Sequence, residues 1–239
     1  MILNKKFFSV GAWLQCSNSN SAEIISRNNF DWICLDFEHG AYDFSNIQDV
    51  IRSIKLNKKF CLVRSSSKNA SEVSKLMDMG IDGVFVPKIE TTSDVNKIYN
   101  AIYFSPKGER GVSYSRANEY GEKFLQYRKK SNKNIFIGMI ESKKGVENLN
   151  KILMLKKLSG VFIGPYDLSS SLGISGMFEH KLFLVYLKNI LKICKSFNIP
   201  CGIHVLESAP KKLEIVKSKG YSFAAYMTDS KILSNFYKI

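Results

Sequence analysis

The chain has 239 residues, of which 35 are Lys or Arg and 21 are Asp or Glu, giving a formal charge of +14. At 45% hydrophobic and 23% charged residues it has the composition of a globular protein, which excludes disorder and collagen-like repetition. Its apolar runs span about four to six residues, short of the roughly 20 needed to cross a bilayer, and Met1-Ile2-Leu3-Asn4-Lys5-Lys6 lacks a signal's apolar stretch; the expectation is a cytoplasmic protein with no membrane partner.

Six of the basic residues are arginines, and the lysines are spread along the chain with no basic block interleaved with aromatics. That pattern reads as a solvated surface and not as a nucleic-acid face. The odd set Cys16, Cys34, Cys61, Cys194 and Cys201 has no CxxC spacing. It predicts buried free thiols and neither disulfides nor a zinc site.

Taken in chain order, strands are predicted at 8–13, 32–36, 60–64, 83–87, 135–140, 160–164, 200–204 and 222–226. Each is a short β-branched or aromatic run followed by a segment with helical apolar spacing. Eight βα units in 239 residues give about 30 residues per unit, the size of a strand, a helix and two short loops in a (β/α)8 TIM barrel. A doubly wound open sheet is the competitor, and the lack of GxGxxG after the first strand favours the barrel. Among the helices, one starts at Ser21 or a neighbouring Ser or Asn, and Asn69 caps 70–79. Gly80 and Gly220 stand where C-terminal glycines belong, and 182–197 carries a broad apolar stripe. The interval from 87 to 135 exceeds one unit. It predicts a helix at 93–102, a long loop at 105–120 over one end of the barrel carrying Pro106, Gly108, Arg110, Gly111 and Arg116, and another helix. No Pro-, Gly- or Ser-rich linker divides the chain, so one domain over 1–239 is expected.

Chemistry in such barrels is built where strands end. Strand two runs into Asp36-Phe37-Glu38-His39-Gly40, strand three ends on Arg64, strand five leads to Glu141, and strand six leads through Gly164-Pro165-Tyr166 to Asp167. Asp78 lies near the end of the helix after strand three. His39, flanked by acids, suits proton transfer near neutral pH, whereas His180 reads as structural and His204 is open to either role. Arg64 offers a fork of donors to a carboxylate or a developing enolate oxygen. Glu141 and Asp167 offer only oxygen ligands, which suits Mg2+ or Mn2+ better than structural zinc. Lys88, just past strand four, raises the alternative of a Schiff base, weighed against an exposed lysine in a lysine-rich chain.

Asp36-Phe37-Glu38-His39-Gly40, Arg64, Leu76-Met77-Asp78-Met79-Gly80, Val86-Pro87, Gly108-Glu109-Arg110-Gly111, Ile140-Glu141-Ser142 and Phe162-Ile163-Gly164-Pro165-Tyr166-Asp167-Leu168-Ser169, in that order, resemble the HpcH/HpaI aldolase family. These are metal-dependent class II pyruvate aldolases, including the 2-keto-3-deoxy sugar acid aldolases, and the resemblance spans 11–229. It implies cleavage or formation of a carbon–carbon bond between pyruvate, as its enolate, and an aldehyde, on a 2-keto-3-deoxy or 4-hydroxy-2-oxo acid. By resemblance His39 is the general base, Asp78 raises its basicity, and Arg64 stabilises the enolate. Glu141 and Asp167 bind a divalent ion (Mg2+ or Mn2+, with Co2+ or Zn2+ also compatible), and the backbone at Tyr166 and Asp167 holds the pyruvate carboxylate. Assembly as a trimer or hexamer, with sites near subunit contacts, is implied as well. Met139 stands where a substrate-contacting glutamine is usual, Tyr166 where alanine or serine is common, and with about ten residues after Asp229 the expectation is a shortened form of the final helix that family members exchange between subunits. A citrate-lyase-type enzyme acting on an acyl-thioester and an inert binding barrel are the two other readings.

Overall fold

The computed structural model describes Leu3, residues 7–207 and residues 209–236. Eight strands, β1 (Ser9–Leu14), β2 (Trp32–Asp36), β3 (Phe60–Arg64), β4 (Gly83–Val86), β5 (Ile135–Ile140), β6 (Gly160–Ile163), β7 (Cys201–Val205) and β8 (Phe223–Thr228), close into one parallel barrel in sequence order. Helices cover its outside, as the alternating pattern predicts.

The strands are nearly continuous apolar runs because both faces are buried: one against the helices, the other in the barrel interior. The interior is aromatic. Trp13, Trp32, Phe85, Phe162 and Phe223 pack with Met139, Leu62 and Cys34, and small residues opposite them make the room. A Cβ on Gly11 would lie 2.1 Å from the Trp32 ring, so a side chain there is excluded. The outer layer follows helical periodicity: in Ile47–Leu56 the buried residues are Ile47, Val50, Ile51 and Ile54, each worth on the order of 1.5–3 kcal/mol when removed from water.

Local signals set the helix ends. The Asn69 side chain accepts from the N–H groups of Ser71 and Glu72 to start Ala70–Asp78, and Gly80 takes φ 84° just beyond its end. His180 caps Lys181–Ser196 by accepting from the Leu182 N–H at 3.2 Å, which is the structural role expected for it.

Two features depart from the simple pattern. The last strand runs to Thr228, further than periodicity indicated. Ala12 pairs with Tyr226 but Trp13 with Thr228, leaving Met227 as a bulge at φ 58°. The segment 105–120 does not reach the strand C-terminal ends. It packs on the end of Ala70–Asp78, where Arg110 pairs with Asp78 and Arg116 donates to the Met79 carbonyl at 2.6 Å. That helix end lies level with the strand beginnings, since a helix after β3 runs back down the barrel.

Candidate active site

The C-terminal ends of the strands surround a cavity of about 420 Å³ lined by His39, Arg64, Met139, Glu141, Tyr166 and Asp167, with Trp13, Gln15, Asp36, Phe162, His204 and Lys231 among the other walls. Six of the residues singled out in the sequence therefore meet in one place.

The floor is organised by a buried ion pair. β2 and β3 run in register so that Asp36 and Arg64 are direct ladder partners. Asp36 Oδ1 accepts from Arg64 Nε at 2.8 Å and Oδ2 from Arg64 Nη2 at 2.6 Å, a two-pronged contact that fixes the guanidinium plane. Oδ2 also accepts from Trp13 Nε1 and Gln15 Nε2, at 3.1 and 3.0 Å, and Oδ1 from the backbone N–H of His39 at 3.1 Å. Asp36 is 0% and Arg64 7% exposed. Burial pushes the Asp36 carboxyl up, but the Arg64 bonds and charge, the Gln15 amide and the His39 N–H together outweigh it and hold the group below its ordinary value. Arg64 Nη1 reaches Glu38 Oε2 at 3.0 Å, and burial raises the Glu38 carboxyl despite that cation. Among the described residues these contacts leave one N–H on each Nη without a partner. His39 follows directly, its side chain 59% exposed and its Nε2 4.0 Å from Glu38 Oε2.

Glu141 follows β5, is 4% exposed and accepts from the Lys88 backbone N–H at 2.8 Å. Burial first, and the neighbouring Asp167 charge after it, raise its carboxyl to about 7 against that hydrogen bond. A glycine makes the arrangement possible: a Cβ on Gly164 would lie 2.4 Å from Glu141 Oε1. Asp167 occupies the first turn of Pro165–Ser171, which starts directly after β6. Two carboxylates held together, one buried and resisting ionisation, suit a hard dication, and those two residues can hold it. Among the described residues no cluster of three or more His, Cys, Asp and Glu side chains forms a ligand cage. An ion here would complete its shell with water and substrate oxygens, the habit of magnesium.

Met139 is 2% exposed and presents a thioether to the cavity from among the aromatic residues. Tyr166 stands exposed at the rim with its ring edge-on to Phe178. Two sequence expectations are not brought together here. Asp78 lines a different hollow beside Arg110, so one chain does not set it against His39. The carboxylate near that imidazole is Glu38, whereas Asp36 holds the His39 backbone. Lys88 adopts φ 51°, serves Glu141 through its backbone, and has no side-chain place in the cavity wall.

The sequence gives Trp13, Gln15 and Lys231 no site role and leaves His204 open to either. His204 Nε2 donates to the Met227 carbonyl at 3.2 Å, and burial pushes the imidazole down to about 4. It is a neutral wall of the site. Its signal was its place at a strand end, and Asp36 carried the same signal as an acid closing an apolar strand in register with an arginine.

A 5-keto-4-deoxy-D-glucarate aldolase of Citrobacter koseri is 33% identical over 196 residues, 81% of this chain and 76% of that one. The fold matches an HpcH/HpaI aldolase/citrate lyase family protein from Burkholderia cenocepacia (TM-score 0.92, 24% identity, 98% of this chain and 93% of that one). It also matches an HpcH/HpaI aldolase from Desulfitobacterium hafniense (TM-score 0.89, 24% identity, 96% and 90%). The family model described as HpcH/HpaI aldolase/citrate lyase matches residues 9–235, and the chain belongs to that family.

Proposed function

We propose that this protein is a metal-dependent aldolase that joins pyruvate to an aldehyde, or cleaves the resulting 4-hydroxy-2-oxo acid. The observation that carries this reading is the convergence of an oriented guanidinium, an exposed imidazole and a two-carboxylate ion site in one cavity. A divalent ion on Glu141 and Asp167, magnesium or manganese, would supply an electron sink for the keto acid when bound.

The chain's own residues do the rest. In cleavage the C3–C4 bond breaks, its electron pair passes to the pyruvyl unit as an enolate, and the C4 hydroxyl proton leaves to His39 as the aldehyde forms. Protonation at C3 then gives pyruvate. Arg64, held in plane by Asp36, directs its two remaining N–H groups to the developing oxyanion, an interaction that strengthens as charge builds. The backbone at Tyr166 and Asp167 receives the pyruvate carboxylate, and apolar Met139 limits the floor. We assign Asp78 to the His39 of a second copy within a trimer or hexamer, because Asp78 and Arg110 form a separate surface of the single chain. We treat 1–239 as one cytoplasmic domain; its free cysteines suit a reducing compartment.

The direct test is exchange of pyruvate methyl protons in heavy water with magnesium or manganese present. Exchange above the metal-only control is expected, and Arg64→Ala should slow it by about 10²-fold or more. Silence at saturating pyruvate, with and without a panel of aldehydes, would refute the reading and favour an acyl-thioester lyase.

A further inference from the structure

Several charges around the cavity are already engaged, by one another or by backbone N–H groups. Asp36 and Glu38 share Arg64. Asp229 accepts from the backbone N–H groups of Gln15 and Cys16 at 2.7 and 3.1 Å. Glu207, on the loop after β7, pairs with Lys212 at 2.9 Å. Of the lysine and arginine side chains in the wall, Lys231 stands apart. Its side chain lines the same cavity as His39, Arg64 and Glu141, yet among the described residues its ammonium has no ion pair. Its backbone is anchored, because its N–H donates to Thr228 Oγ1 at 3.2 Å and Asp229, two residues earlier, is tied to the segment just past β1. The side chain therefore starts from a fixed point and carries an uncommitted charge into the mouth.

Position says what that charge is for. Glu141 and Asp167 follow β5 and β6, whereas Lys231 follows β8, three strands round the closed ring from β5. Keto-acid binding and distal recognition thus fall on different sectors of the rim. Of the cationic side chains in the wall, Arg64 is engaged by two carboxylates, which leaves Lys231 for a second anion. We infer that Lys231 is a specificity-determining residue that receives an anionic group, carboxylate or phosphate, at the far end of the aldehyde half, so that the enzyme prefers acidic aldehydes to neutral ones. This inference rests on the pyruvate-aldolase reading.

Two matched pairs test it, with pyruvate and manganese: succinic semialdehyde against butanal, and glyceraldehyde 3-phosphate against glyceraldehyde. The wild-type kcat/KM should favour the charged member of at least one pair, and the pair showing the larger preference identifies the anion. Lys231→Met should reduce that ratio by about 10–100-fold, the scale of one charge-assisted hydrogen bond. Lys231→Arg should retain most of it and Lys231→Glu should reverse it, with the change falling mainly on the aldehyde KM. No wild-type preference in either pair, or an equal loss for charged and neutral aldehydes in Lys231→Met, would overturn the inference while pyruvate methyl exchange left the aldolase reading intact. Neither exchange nor addition with any aldehyde would overturn both.

Discussion

Replacing Arg64 with methionine removes the cation from a carboxylate that has no exposure to water. Asp36 is 0% exposed and both its oxygens bond to the guanidinium. Breaking a buried pair by deleting one partner leaves an uncompensated charge and costs about 3–5 kcal/mol. The Trp13, Gln15 and His39 donors still serve Asp36 and pull the value toward the lower end. Asp36→Asn should cost less, about 1–3 kcal/mol, because Glu38 still faces the guanidinium. The double variant should be more stable than the sum of the two losses predicts, since neither charge is then stranded. For a chain of this length about 3 kcal/mol lowers Tm by roughly 6–12 °C. Urea unfolding followed by circular dichroism, on the two single variants and the double, gives the coupling directly. Additive losses, or an Arg64→Met variant within about 1 kcal/mol of wild type, would show that this pair is not what organises the site floor. The lowered Asp36 carboxyl adds a pH signature. Its contribution is present above the unfolded carboxylate range and is lost as pH falls through the lower folded value.

Three other outcomes follow from the geometry. His204, pushed down to about 4 in the fold from 6.5, binds its proton sooner when unfolded; as pH falls from 6.5 toward 4 it should withdraw up to about 3 kcal/mol of stability, so the Tm deficit of His204→Gln at pH 7 should shrink or vanish at pH 4.5, and a constant deficit would contradict the assignment. Gly164→Ala places a methyl where Glu141 Oε1 lies, so it should weaken manganese binding by titration calorimetry at least about 10-fold, and unchanged affinity would dissociate Gly164 from the ion site. Chelation should abolish turnover and magnesium or manganese restore it, whereas Glu141→Gln should not recover at any metal concentration; full turnover in excess chelator, or a borohydride-trapped pyruvate adduct on Lys88, would replace the metal with a Schiff base.

The barrel was legible because each strand is a short apolar run between turn residues, and because strand ends carry polar residues in a chain otherwise buried there. His39, Arg64, Glu141 and Asp167 stood out by their places at strand ends, and the family resemblance supplied their roles. Asp78 did not reveal its surroundings, because it sits on a helix whose C-terminal end faces away from the rim. The segment 105–120 was visible as a long loop, but its docking depends on Arg110 and Arg116 finding the end of Ala70–Asp78, long-range partners that spacing does not encode. Lys231 was hidden by the bulge at Met227, which extends the last strand and brings the start of the following helix to the mouth. Periodicity cannot register an inserted residue of that kind.

The indole of Trp13 bonds to Asp36 and lies 5.4 Å from the Arg64 guanidinium, while the other of the chain's two tryptophans, Trp32, is buried among the aromatics below. The molecule thus carries its own optical probe: one fluorophore in the wall where ligands arrive and one sealed beneath it as an internal reference. Filling the cavity should alter the emission of the first and leave the second unmoved. Occupancy can then be followed by intrinsic fluorescence without a label, before any aldehyde has been identified.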